Sequence, residues 1–166
     1  MSERTLVLDH EHVQRKLRRI AHQLHEEHVD ERAIVLVGIA PRGATMAKRL
    51  AALLEGIAEF KVVLAELALD KDRPLSTPVR LDADPKQIKG RVVVLVDDVL
   101  MSGRTLMHAA EHLVQAAPKR LTTVVLVDRR HRLYPIRADI VGLTLSTTMQ
   151  EHISVEFGRK DAVYLG

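Results

Sequence analysis

The stretch Arg91-Val92-Val93-Val94-Leu95-Val96-Asp97-Asp98-Val99-Leu100-Met101-Ser102-Gly103-Arg104-Thr105 decides how the rest of the chain is read. Arg91 to Val96 is dominated by β-branched residues with no polar alternation, which predicts a strand covered on both faces, as in parallel sheets. Two adjacent carboxylates follow at the strand's end. A short glycine-containing loop then opens a helix from about Gly103 to Ala116, stopped by Pro118. A helix start offers free backbone N–H groups and the positive end of the dipole. Gly103 lets that backbone approach an anion closely, and Ser102 and Thr105 add hydroxyls, so the segment has the physical parts of a monophosphate cradle. It lacks the GxxxxGK spacing of a Walker loop. Two carboxylates beside such a cradle either hold a divalent metal or accept hydrogen bonds from vicinal sugar hydroxyls. A sugar 5-phosphate satisfies both features at once. The plain alternative is a solvated acid pair at a helix start.

Outward from this stretch, buried strands alternate with amphipathic helices. Ala33 to Ala40 is a second continuous apolar run, ending in Pro41-Arg42-Gly43. Gly43 to Glu55 reads as a helix stopped by Gly56. Phe60 to Leu69, Leu121 to Val127 and Ile140 to Leu145 read as strands, and ISVEF and AVYL as a C-terminal hairpin around Gly158. Near the start, Val13, Leu17, Ile20 and Leu24 share one helix face, with Asp9 as N-cap. Residues 70–90 carry Pro74, Pro78 and Pro85 among many charges and read as one long loop with a short strand at Val79 to Leu81. Loops of that length in a compact domain are usually functional. The alternation predicts an α/β, doubly wound, mostly parallel sheet flanked by helices, in one domain over 1–166. Such sheets bind ligands at the carboxyl ends of their strands.

Composition narrows the function. The 166 residues are 46% hydrophobic and 28% charged, an ordinary globular balance. At this length folding buries roughly 70% of the unfolded chain's surface. The absence of cysteine excludes a disulfide scaffold, a thiol nucleophile and a Cys-based zinc site, and fits a reducing compartment. A net charge of +3 permits an anionic partner without demanding one. Aromatics at 2% argue against a surface that stacks many unpaired bases. Charges interrupt the N-terminus at once, and the apolar runs are too short to cross a bilayer, so a cytoplasmic location is expected. His22, His25 and His28, and His108 and His112, recur at helical spacing. With no cysteine and no HExxH string they read as surface histidines rather than zinc ligands.

Three strings, in order, carry a family resemblance. VVVLVDDVLMSGRT (Val92 to Thr105) resembles the phosphoribosyl-pyrophosphate (PRPP) signature of the type I phosphoribosyltransferases, and GIAPRGATMAKRL (Gly38 to Leu50) that family's pyrophosphate loop. LVDRRHRLYPIRADIVG (Leu126 to Gly142) resembles one branch, the bifunctional pyrimidine-operon RNA attenuators and uracil phosphoribosyltransferases. The resemblance implies the type I phosphoribosyltransferase fold with a lid at about 70–90 and a small hood at about 134–151. It implies transfer of the 5-phosphoribosyl group from PRPP to a free base, with uracil giving UMP and pyrophosphate. Asp97, Asp98 and Arg42 become the catalytic residues. Asp97 and Asp98 meet the ribose hydroxyls, and Leu100, Met101, Ser102, Gly103, Arg104 and Thr105 hold the 5-phosphate. Ala40, Pro41, Arg42 and Gly43 hold pyrophosphate, with Lys71 and Arg73 reaching from the lid. Met101, Asp128, Arg129, His131, Arg137, Ile140 and Val141 fall at the base pocket. Magnesium accompanies PRPP, near Asp97 and Asp98 but not held mainly by protein. Arg15, Arg18, Arg19, Arg130 and Arg132 are the candidate contacts to an RNA leader hairpin, and a homodimer or higher homo-oligomer is expected.

Departures from that branch lie in the lid (Leu69-Asp70-Lys71-Asp72-Arg73-Pro74) and after Gly142 (Leu143, Thr144, then Ser146-Thr147-Thr148). Met101 stands where the 6-oxopurine branch places a carboxylate, and a thioether cannot act as a general base. Two alternatives stay open. One is a UMP- or PRPP-sensing RNA attenuator with little enzyme activity. The other is the same fold acting on a purine or another base.

Overall fold

The computed structural model describes residues 3–166. The first two residues of the charged N-terminal stretch lie outside them. Strand β1 (Thr5–Leu8) leads into helix α1 (His10–Glu27), then β2 (Ala33–Ile39), α2 (Arg42–Glu55) and β3 (Lys61–Ala68). The two-residue β4 (Arg80–Leu81) and short α3 (Pro85–Ile88) precede β5 (Val92–Leu100), α4 (Arg104–Val114), β6 (Arg120–Asp128) and β7 (Ile140–Thr144). A hairpin of β8 (Ile153–Glu156) and β9 (Ala162–Leu165) closes the chain.

Six strands form the main sheet in the order β4-β3-β2-β5-β6-β7, parallel except for β4. Helices cover both faces, which explains the unbroken apolar runs. On β5, Val92, Val94 and Val96 pack with α1 and α2, while Val93 and Leu95 pack with α4 and Ile88 of α3. The doubly wound sheet expected from the alternation is therefore present. The chain leaves β2 toward β3 on one side and returns to β5 on the other, so the winding reverses between β2 and β5. The crevice at the carboxyl ends of two such strands is where ligands bind in these sheets.

Helix α1 forms where the periodicity placed it. Asp9 accepts the His12 backbone N–H at 2.9 Å, and Val13, Leu17, Ile20, Ala21 and Leu24 are buried. Its C-cap departs from the surface expectation. His28 is buried, and its Nε2 has no hydrogen-bond partner.

Three other expectations are corrected. Strand β5 does not stop at Val96. Pairing with β2 ends at Gly38–Val96, but pairing with β6 continues through Asp97–Val125 to Leu100–Asp128 and keeps the backbone extended. The long loop is shorter than 70–90. Asp84 caps α3 by accepting the Lys86 N–H, Gln87 reaches back to the Asp84 N–H, and Ile88 is buried under the sheet. Finally, 134–151 is not a hood, because its strand β7 pairs with β6 at the edge of the main sheet. The separate layer is a three-stranded antiparallel sheet, β1-β9-β8, drawn from both chain ends.

Asp161 fastens this small sheet to the body. It is 1% exposed, and its carboxylate accepts from Arg49 of α2, Gln14 of α1 and the Gly158 N–H. Removing a buried charge that satisfies several donors strands its partners. Asp161→Ala is expected to cost about 3–5 kcal/mol in urea unfolding. His28 supplies a second prediction. Burial, then the charge of Arg120, hold its pKa below the ordinary 6.5 against the pull of Glu27 and Glu31. The folded state therefore binds this proton less readily than the unfolded one. His28's contribution is complete above pH 6.5 and lost as pH falls below it. His28→Leu is expected to flatten the acid limb of the melting temperature against pH.

Candidate active site at the carboxyl ends of β2 and β5

A cleft of about 270 Å³ opens at the reversal point between β2 and β5. Arg42, Lys71, Asp97, Asp98 and all of Leu100 to Thr105 line it. The acid pair lies within β5, each residue 3% exposed. The turn from β2 into α2 packs against the pair from one side. A Cβ at Gly43 would sit 2.6 Å from the Val96 carbonyl and 3.2 Å from Asp97 Oδ1, so only glycine allows this approach. That turn places the Arg42 Nε 2.8 Å from Asp98 Oδ2. From the loop after β3, Lys71 brings its Nζ 3.3 Å from Asp97 Oδ1 and 3.9 Å from Asp98 Oδ1.

Two cations thus face two buried carboxylates. The balance is incomplete for Asp97, whose carboxyl is pushed up to about 8 by burial and then by the neighbouring Asp98 charge, with Lys71 pulling the other way. The residues fit a magnesium ion that arrives on a diphosphate better than a protein-caged one, since such ions take one or two carboxylates plus substrate phosphates. Among the described residues, no three His, Asp or Glu side chains converge.

The cradle follows directly. Gly103 adopts φ +87° as the N-cap of α4. A Cβ there would meet Ile136 Cγ2 at 2.7 Å, so sterics and backbone both require glycine. The first turn of α4 leaves backbone N–H groups without intrahelical acceptors, pointing out of the helix start. Ser102 Oγ accepts the Arg104 N–H at 3.2 Å. Arg104 in turn donates to the Lys71 carbonyl at 3.2 Å, joining the cradle to the loop that carries Lys71.

A second hollow of about 380 Å³ adjoins the cleft through Met101 and Ser102, with Arg129, His131 and Met149 on its other side. Arg129 is 4% exposed and donates to Thr147 Oγ1 at 2.6 Å, to the Thr148 carbonyl at 2.9 Å and to the Met101 sulfur. The His131 Nε2 lies 2.7 Å from the Thr147 carbonyl. The hollow is apolar at Met101, Leu133 and Met149 and basic at its rim.

Several expected residues stand elsewhere. Of the β2–α2 turn only Arg42 lines the cleft; Gly43 packs behind it against Val96 and Asp97, the Ala40 N–H bonds to the Leu67 carbonyl, and Pro41 is exposed. Arg73 sits in an exposed turn, its backbone N–H on Asp70 Oδ1. Asp128 pairs with Arg132 and lines neither hollow. Arg137, Ile140 and Val141 lie lower along the sheet. The Arg137 carbonyl accepts from Thr123 Oγ1, Ile140 is buried, and Val141 packs against the α4 face. Among the RNA candidates, Arg15 pairs with Glu11 and Arg19 donates to the Val141 and Gly142 carbonyls. Arg132 donates to the Met101 and Ile136 carbonyls, while Arg18 and Arg130 are exposed. His152 and Ile153 also line the cleft. They belong to the small sheet's hairpin, and nothing local in the sequence marks them.

The family model described as phosphoribosyl transferase domain matches residues 4–161. The chain is 38% identical over 176 residues to the Bifunctional protein PyrR of Clostridium novyi, covering 98% of this chain and 97% of that protein. It is 40% identical over 162 residues to the protein of that name from Streptomyces coelicolor, covering 93% and 84%. A solved hypoxanthine phosphoribosyltransferase from Staphylococcus aureus superimposes with a TM-score of 0.73 at 21% identity, covering 87% of this chain and 80% of that one. At that identity the likeness concerns the fold, which is that of the type I phosphoribosyltransferases. The chain therefore belongs to the phosphoribosyl transferase domain family, among the proteins named Bifunctional protein PyrR.

Proposed function

We propose that this protein transfers the 5-phosphoribosyl group of PRPP to uracil, forming UMP and pyrophosphate, and also binds a pyrimidine-operon leader RNA. The observation that carries the enzyme reading is the single cleft in which the buried Asp97–Asp98 pair faces the Leu100–Thr105 cradle. The cradle takes the 5-phosphate on backbone N–H groups. Asp97 and Asp98 accept from the two ribose hydroxyls. Arg42 and Lys71, which balance the acid pair in the free protein, turn to the pyrophosphate. Bound magnesium would add positive charge beside the departing pyrophosphate. The bond from the anomeric carbon to pyrophosphate oxygen breaks, the bond to the base nitrogen forms, and that nitrogen's proton passes to solvent. Charge developing on pyrophosphate is met by fixed cations, so positioning and electrostatics supply most of the rate.

The base is assigned to the adjoining hollow, against Met101 with Arg129 and His131 opposite. Met101 provides an apolar wall and no carboxylate to take a purine proton. For RNA, the exposed Arg18 and Arg130 remain candidates. Phosphate contacts of that kind give affinity and a strong salt dependence.

Pyrophosphate release is to be measured with PRPP, magnesium and uracil, guanine, hypoxanthine or orotate in parallel. Turnover with uracil alone is expected. Turnover with a purine would overturn the acceptor assignment, and silence with every base would overturn the enzyme reading. A leader hairpin that fails to bind at low salt, with and without UMP, would remove the RNA reading. For Asp97→Asn, replacing a carboxyl acceptor of a ribose hydroxyl by an amide is expected to raise the KM for PRPP about tenfold to a hundredfold. The same variant tests the electrostatics. Asp97 keeps its proton more firmly folded than unfolded, so the ligand-free protein loses stability as pH rises from 3.8 toward about 8. Asp97→Asn is expected to melt above the wild type at pH 8 and to lose that advantage near pH 4.

A further inference from the structure

The segment after β6 touches the phosphate cradle from behind. Arg132 Nη1 donates to the Met101 carbonyl at 2.9 Å. The N–H groups of Leu133 and Tyr134 both donate to the Ser102 carbonyl, at 2.8 and 3.0 Å. Arg132 is itself fixed, with its Nε on the Ile136 carbonyl at 3.0 Å and its Nη2 on Asp128 Oδ1 at 2.7 Å. That same Asp128 oxygen accepts the Arg130 N–H at 2.9 Å, and Arg130 takes φ +62° to bring it there.

Planarity turns these contacts into an orientation. In a trans peptide the C=O and the following N–H point in opposite directions. Holding the Met101 carbonyl turns the Ser102 N–H away from the 132–134 segment, and holding the Ser102 carbonyl does the same for the Gly103 N–H. Both residues line the cleft. Left loose, each of these peptide units could rotate and present a carbonyl to the phosphate, replacing attraction with repulsion.

We propose that Arg132, fixed by Asp128, is a positioning residue that locks the 5-phosphate cradle in its donor-outward orientation. This reassigns both side chains. Arg132 read as an RNA contact and Asp128 as part of the base pocket, yet their partners are each other and the carbonyls of the cradle and its brace. The inference rests on the phosphoribosyl transfer proposed above.

The test compares Arg132→Met, which keeps the stem and removes the donors, with Arg132→Lys, which restores one donor. Arg132→Met is expected to raise the KM for PRPP about tenfold, in line with the cost of small misplacement, and to raise the KM for uracil by less, since Arg132 also lines the hollow assigned to the base. Arg132→Lys should recover part of the loss. Amide hydrogen exchange over 101–106 should quicken in Arg132→Met with no ligand present. Asp128→Asn should shift both readouts the same way by less, and it decides the matter if Arg132→Met does not fold. An unchanged KM for PRPP with unchanged exchange would overturn the proposal. So would a loss of leader-hairpin binding with the KM for PRPP intact, which would make Arg132 a surface contact to RNA. If the wild type turns over no base, the enzyme reading fails separately, and exchange over 101–106 still decides whether Arg132 holds the cradle.

Discussion

Two carboxylates on consecutive residues of a buried strand repel each other, and neither is well solvated. Everything around the cleft answers that constraint. The β2–α2 turn approaches closely enough to aim Arg42 at Asp98 because position 43 carries no side chain. The loop after β3 folds inward far enough for Lys71 to reach both acids. Asp97 still favours its proton. The pair is therefore an electrostatic load in the free protein, and vicinal hydroxyls can relieve it by supplying donors where there were few. Stability and binding oppose each other at these two residues, as is common where side chains serve a ligand rather than the fold.

The cradle and the acid pair share one support. Strand β6 holds β5 extended past the point where β2 lets go, and the segment after β6 then turns back onto the loop that follows β5. On its other side the same segment reaches Thr147 and Thr148 through Arg129 and His131. Residues 128–136 thus lie between the phosphate side and the hollow assigned to the base. The resemblance drew attention to this string as a branch signature, and its packing gives a physical reason for its residue types. Arginines and a histidine are suited to gathering carbonyl oxygens from two directions.

Much of the fold was legible because both-face burial leaves an unmistakable apolar run, as in Val92 to Val96, and one-face burial a 3.6-residue period, as in Val13 to Leu24. The cradle was legible because Gly103, Ser102 and Thr105 are local to one turn. What escaped depended on partners far along the chain. Nothing in Thr5–Leu8 reveals a strand whose mate is Val163 to Leu165. Nothing in 134–151 shows that β7 joins β6 rather than forming a layer of its own. Arginines were visible as basic residues, but Arg19 and Arg132 bond to backbone carbonyls, which have no sequence signature. One miss was local and avoidable: Asp84-Pro85-Lys86-Gln87 spells an N-cap, a first-turn proline and a capping-box glutamine.

Arg19 has a consequence beyond the position of α1. Strand β7 ends the main sheet, and an open sheet edge is a template for unwanted pairing with a second chain. By lying across the Val141 and Gly142 carbonyls, Arg19 places a charged, solvated head on that border. A strand approaching from outside would have to displace a cation before it could add to the sheet. The far border is guarded differently, by a β4 only two residues long. A cation on one margin and a two-residue strand on the other leave little backbone template for a further strand to pair with.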